Sequence, residues 1–144
     1  RRWLISIFGV FYISKMSWNK RKRKKMTMIK KKFTSIDDGI NNMLDAAAFD
    51  YKDMGLTYRT SNEFRDGFMI RTGQKYIKIG RLSKMNPGKM GSVWGFVVNT
   101  DDDAKFKRGD ILKAAGFNAP ARNAPRGNVL DGGFSIRWTG PEYL

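Results

Sequence analysis

Between Ile36 and Tyr51 the apolar residues Ile36, Ile40, Met43, Leu44, Ala47 and Tyr51 recur at steps of three and four, and nowhere else does the chain repeat that pattern at such length. This spacing puts one apolar stripe along a helix. Thr34 or Ser35 can cap its start, Asp37 and Asp38 sit where the helix dipole favours negative charge, and Gly55 is a natural stop. A helix over Ser35–Asp53 is therefore expected, with Gly39 as an internal penalty of about 1 kcal/mol. The stripe reads as core packing.

After Gly55 the texture becomes that of short strands. Gly67–Arg71 and Lys75–Gly80 flank Thr72-Gly73-Gln74 as a hairpin, and the second run alternates Tyr76, Lys78 against Ile77, Ile79. Leu82–Gly91 reads as a loop carrying Pro87 and Gly88, and Ser92–Val98 as a strand buried on both faces. Gly109–Ala115 and Phe134–Trp138 complete the set. A helix followed by consecutive strands predicts an α+β fold, with one amphipathic helix packed on a small, mostly antiparallel, curled sheet of about five strands.

The charge of +15 is unevenly spread: residues 1–36 carry twelve Lys/Arg and no acid, residues 37–144 sixteen Lys/Arg against thirteen Asp/Glu. The chain divides accordingly into a basic and apolar segment, 1–33, and one globular α+β domain, 34–144. The chain begins Arg1-Arg2-Trp3, and Lys and Arg codons can be wholly purine, as in a ribosome-binding leader. One expectation is therefore that residues 1–25 are leader and that synthesis starts at Met26 or Met28. The alternatives take Trp3–Ile13 as a strand ahead of a solvated basic loop, or as a surface anchor. Strand and leader are favoured over anchor. Eleven residues are too few to span a bilayer, which takes roughly 20, and no small-x-small cleavage site follows. Lys20–Lys25 and Lys30-Lys31-Lys32 place nine positive charges within thirteen residues, the pattern of a polyanion-binding arm.

With no Cys and no His, disulfides, thiolate nucleophiles, His-based acid–base catalysis and the usual zinc sites are excluded. A non-enzymatic role without a cofactor is expected. Asp101-Asp102-Asp103 invites a Mg²⁺ test, but neighbouring carboxylates on an extended segment point apart, so an acidic turn is the preferred reading.

The candidate contact residues lie in and around Gly116–Gly133, a Pro- and Gly-rich loop. Arg122 and Arg126 offer forked donors for phosphate, Asn123 and Asn128 suit base edges or turns, and Lys113, Arg137, Lys30, Lys31 and Lys32 add charge. The structural alternative is a self-pinned Ω-like loop with its arginines on carboxylates such as Asp110 or Asp131. Tyr76, Trp94, Phe96, Phe134 and Trp138, beside Lys78, Arg81, Arg137 and Lys113, are read either as core or as a stacking platform for single strands.

Lys107–Ala115, Asn118-Ala119-Pro120-Ala121-Arg122 and Arg126-Gly127-Asn128-Val129, with the aromatic strand Ser92–Val97, resemble a pattern of small uncharacterised tailed-bacteriophage proteins. The likeness covers residues 75–144 and departs at Gly116-Phe117. It implies phage origin, a compact β domain and a late start, and it implies no activity. The leading expectation is a phage-encoded nucleic-acid-binding protein of the host cytoplasm or nucleoid, or of the virion, without a membrane span. The alternative is a structural or host-takeover module that binds protein, with self-assembly open to it.

Overall fold

A computed structural model describes residues 4–5, 11–13, 27–29 and 32–143. Helix α1 runs Ile36–Asp53. Ser35 is its N-cap and its hydroxyl accepts the Asp38 amide at 3.5 Å. Met54 closes the helix, and Gly55 follows at φ +74°, a conformation that suits glycine. The expected stripe is buried at Ile40, Met43, Leu44, Ala47 and Tyr51, and burial extends beyond it to Ala46, Ala48, Asn42 and Asp50. Small alanines let neighbouring segments approach α1 on more than one side. The buried Asp50 carboxylate accepts the Trp138 amide at 2.9 Å, tying the helix to the C-terminal strands.

A second helix, α2 (Ser61–Asp66), occupies a stretch whose Glu63 and Asp66 suggest only surface charge. Its start is a capping box: the Thr60 hydroxyl accepts the Glu63 amide and the Glu63 carboxylate accepts the Thr60 amide, at 3.1 and 2.7 Å. Phe64 is the helix's one buried residue and stacks on Tyr51 with ring centroids 4.4 Å apart.

Strands β1 (Leu4–Ile5), β2 (Phe11–Ile13), β3 (Thr27–Ile29), β8 (Phe134–Arg137) and β9 (Gly140–Pro141) form one antiparallel sheet in that order. Strands β4 (Phe68–Thr72), β5 (Tyr76–Leu82), β6 (Met90–Val98) and β7 (Ile111–Leu112) form a second. The fold is α+β, and all five runs read from the sequence are strands, but not of one sheet. The last of them, β8, leaves its expected neighbours and pairs with β3, Ile29 opposite Phe134. Ile29, from the segment before residue 34, is fully buried in the main core. The apolar run 3–13 contributes β1 and β2, with Leu4 opposite Tyr12.

Apolar clusters pack on both faces of the four-stranded sheet, leaving part of the outer face at β4 and β5 open. Ile77, Ile79, Trp94 and Val97 pack with α1 in the main core, and Phe96, Val98, Phe106 and Leu112 form a second cluster beneath the later loops. A bulge makes this possible. Ile79 pairs with Gly95 but Gly80 pairs with Val93, leaving Trp94 as the extra residue that resets the alternation of β6. Among the described residues no helix is long and apolar enough to cross a membrane.

Candidate nucleic-acid interface

The β4–β5 hairpin fixes an unusual pair. Ile77 and Ile79 face the core, so Tyr76 and Lys78 face outward, and register sets Arg71 opposite Lys78 and Lys78 opposite Phe96. Like charges directly opposite one another on adjacent strands are destabilising. Lys78 is held where it is: its ammonium donates to Asn118 Oδ1 at 3.0 Å and lies 3.7 Å from the Phe117 ring centroid. Desolvation first, and Arg71 second, hold that ammonium below its ordinary pKa.

These groups line a groove of about 690 Å³ on the outer face of the sheet, with Lys89 and Tyr76 on its walls and no Asp or Glu among its lining residues. Arg71 and Lys89 have no ion-pair partner among the described residues. Phe117 is half exposed at 49%. The arrangement suits an extended anion with flat apolar groups: three cations in one channel and an accessible ring beside them.

The loop residues expected to make the contact are engaged elsewhere. Arg122 places its two terminal nitrogens on the Asp103 oxygens, 2.9 Å each, also donates to the Tyr76 hydroxyl, and lies over the Phe106 ring. Asp103 is nearly sealed, its side chain 1% exposed, and accepts the amides of Lys105 and Phe106 as well. The bidentate Arg122 contact, then those amides, hold its carboxyl well below the usual range. The structural alternative for the loop is thus the observed one, with Asp103 rather than Asp110 or Asp131 as the anchor.

Arg126 donates to the Ala124 carbonyl at 2.6 Å and to Asn123 Oδ1 at 3.2 Å, and Asn123 Oδ1 also accepts the Ala124 amide. Arg137 pairs with Glu142 at 2.7 Å. Lys113 donates to the Pro141 carbonyl and covers the Tyr143 ring, and burial followed by nearby Arg126 lowers its pKa. Asn128 is 5% exposed and makes four hydrogen bonds, which is the turn role of the two that the sequence offers it. Lys32 is exposed, while Lys30, Lys31 and the Lys20–Lys25 run lie outside the described residues.

The stacking-platform reading is likewise corrected for Trp94, Phe96 and Phe134, which are buried in the two cores. Phe96 reaches the groove and Trp94 the cavity behind it only as residues 3% and 6% exposed. Asp101 and Asp102 are exposed turn residues, and the described residues hold no group of three or more acidic side chains placed to bind a metal ion. Only the outward turn of Lys78 follows from the alternation in β5; a turn at Thr72-Gly73-Gln74 would set Arg71 opposite Lys75, whereas the hairpin turns over residues 73–76 and brings Arg71 opposite Lys78. Lys89, Phe117 and Asn118 arrive from two separate loops and gave no such signal.

Fold and groove together define a small α+β domain with a cation-lined channel across one sheet. The chain belongs to a family of unknown function, DUF7717, whose model matches residues 14–134. No curated protein and no solved structure matches the chain.

Proposed function

We propose that the chain is a non-enzymatic nucleic-acid-binding protein, phage-encoded as the shared short words suggest, that takes a single strand in the Arg71–Lys78–Lys89 groove. The observation that carries this reading is the pairing of Arg71 against Lys78 in a channel with no acidic lining. Two apposed cations raise the energy of the free protein, and a phosphate between them removes that penalty. The accessible Phe117 ring gives a base somewhere to stack, at about 1–3 kcal/mol per base in comparable contacts. The contact surface is thus the sheet face and the tip of the 116–119 loop, and the basic run at 20–32 adds affinity without selecting a target.

Fluorescence anisotropy of a labelled single-stranded 20-mer against the full chain tests this. Binding is expected to fall steeply with salt. The Arg71→Gln, Lys78→Gln, Lys89→Gln triple variant is expected to lose at least tenfold in affinity and to flatten the logarithmic salt slope by about 2. The basic run is the same in both proteins, so the difference reports the groove. Absence of salt-dependent binding, or a triple variant as tight as the wild type, defeats the proposal.

A second reading, a self-assembling structural subunit, draws on β4. It is an edge of the four-stranded sheet, and its Ile70 is 42% exposed, which leaves a strand open to pairing with another copy. Mass photometry separates the two: a concentration-dependent oligomer without nucleic-acid binding favours assembly.

A further inference from the structure

Behind the groove, on the helix side of the same sheet, lies a cavity of about 440 Å³ that shares no lining residue with it. Its walls are aromatic. Tyr51 stacks on Phe64 at 4.4 Å, and Trp138 meets both rings edge-on at 5.6 and 6.2 Å. Trp94 is fixed by an indole N–H donated to the Trp138 carbonyl at 3.0 Å. Tyr58, 88% exposed, stands at the rim.

The charged groups of this cavity are all cations: Arg59, Arg81 and Lys84, with no Asp or Glu among its lining residues. Arg81 is built in. Its guanidinium lies 4.3 Å from the Phe64 centroid and 4.5 Å from that of Phe68, and it donates to the Phe64 carbonyl at 2.6 Å. Gly67 leaves room for it, since a Cβ there would stand 2.4 Å from the guanidinium. Burial first, and nearby Arg59 second, lower the Arg81 pKa, as expected where cations crowd together away from water.

The most telling group is Tyr51. The residue is 3% exposed and borders the cavity, and its buried hydroxyl has no hydrogen-bond partner among the described residues. Buried hydroxyls are ordinarily satisfied, so an unpaired one in a residue that borders a cavity is a group whose bonding a ligand seated there could complete. A substrate-sized space with aromatic walls and a few convergent polar groups is the usual form of a small-molecule site.

We infer that this cavity binds a small molecule made of a planar aromatic ring and an anionic group, with the ring on the Trp138–Tyr58 side, the anion on Arg59, Arg81 and Lys84, and one polar atom on the Tyr51 hydroxyl. A nucleoside monophosphate and an aryl carboxylate both have this chemistry. The site is independent of the strand-binding groove and stands whether or not that groove binds nucleic acid.

Titration calorimetry and Trp fluorescence on the full chain test it with four probes: adenosine 5′-monophosphate, indole-3-carboxylate, adenosine and inorganic phosphate. At least one of the first two is expected to bind about tenfold or more tighter than both adenosine and phosphate. Saturation by the monophosphate alone identifies a nucleotide site, and saturation by the carboxylate alone identifies an aryl-acid site. Tyr51→Phe is expected to weaken the tighter ligand roughly 3- to 10-fold with no loss of thermal stability, because it removes only an unpaired hydroxyl. Arg59→Gln is expected to weaken it by about tenfold or more while oligonucleotide binding is unchanged. The groove triple variant is expected to bind the small ligand as the wild type does. Failure of both ring–anion probes to saturate at millimolar concentration, a Tyr51→Phe variant that binds as tightly as the wild type, or phosphate binding as tightly as the monophosphate overturns the inference.

Discussion

Asn128→Ala is expected to lower stability by about 2–4 kcal/mol and the thermal midpoint by roughly 10 °C. The Asn128 amide nitrogen donates to the Arg108 carbonyl and to Asp110 Oδ1, both at 2.9 Å. Its oxygen accepts the Leu130 amide at 2.8 Å and the Asp131 amide at 3.1 Å. One side chain therefore knits the 107–110 turn to the 128–131 turn. Alanine strands the partners inside, including a carboxylate oxygen of the buried Asp110, and buried groups left unpaired cost far more than an average hydrogen bond contributes. Asn128→Asp is expected to be worse at neutral pH, because it sets a second carboxylate against Asp110. Urea titration checks both. An Asn128→Ala variant within about 0.5 kcal/mol of the wild type, below the usual cost of losing even one buried bond, contradicts the structural role. If such a variant also lost oligonucleotide binding, the residue would return to the contact surface.

Gly39→Ala is expected to destabilise by about 1–3 kcal/mol, the reverse of what helix propensity predicts. On propensity alone, replacing a mid-helix glycine with alanine gains about 1 kcal/mol. In the folded protein a Cβ at position 39 would stand 2.4 Å from the Val129 carbonyl oxygen and 3.0 Å from its carbonyl carbon. Both atoms are backbone, and Val129 is itself buried, with its amide on the Gly109 carbonyl at 2.9 Å. Neither side can move without breaking other bonds, so α1 or the 127–130 segment must shift. Thermal denaturation decides between the two forces: a higher midpoint for the variant means that the helix does not approach Val129 as described.

That glycine shows where sequence reading stops. Helix α1 was legible because its apolar period, its cap and its stop are all local. The five strand runs were legible for the same reason. Their division between two sheets was not, since alternation tells which residues share a face and says nothing about which distant strand becomes the neighbour. Strand β3 is three residues long with basic runs on both sides and gave no pattern of its own. Helix α2 has a local signal in the capping box of Thr60-Ser61-Asn62-Glu63, but with one buried residue it lacks the apolar period that marks α1.

The candidate site divides in the same way. Forked donors in a Pro/Gly-rich loop describe a phosphate ligand and an internal strut equally well. Only the structure shows that Arg122 reaches Asp103, 19 residues earlier and the last of three adjacent aspartates. The cavity beside Tyr51 was the least legible of all. Its walls come from α1, α2, β5, β6, the loops at 56–59 and 84 and the segment after β8, and one clue is a hydroxyl that makes no bond.

The pairing of β3 with β8 bears on how the molecule is made as well as how it is held. Thr27 stands opposite Ile136, whereas the α1–α2 pair and the β4–β5–β6 meander join near neighbours in the chain. The entropy of closing a loop grows with its length, so contacts between distant segments form late. In pulse-labelled refolding, the amides of β3 and β8 are expected to gain protection after those of β5 and β6. Simultaneous protection would show that both sheets close in one step. On this ordering the groove is assembled before the fold is locked, and the slowest event in folding belongs to a sheet that contributes nothing to it.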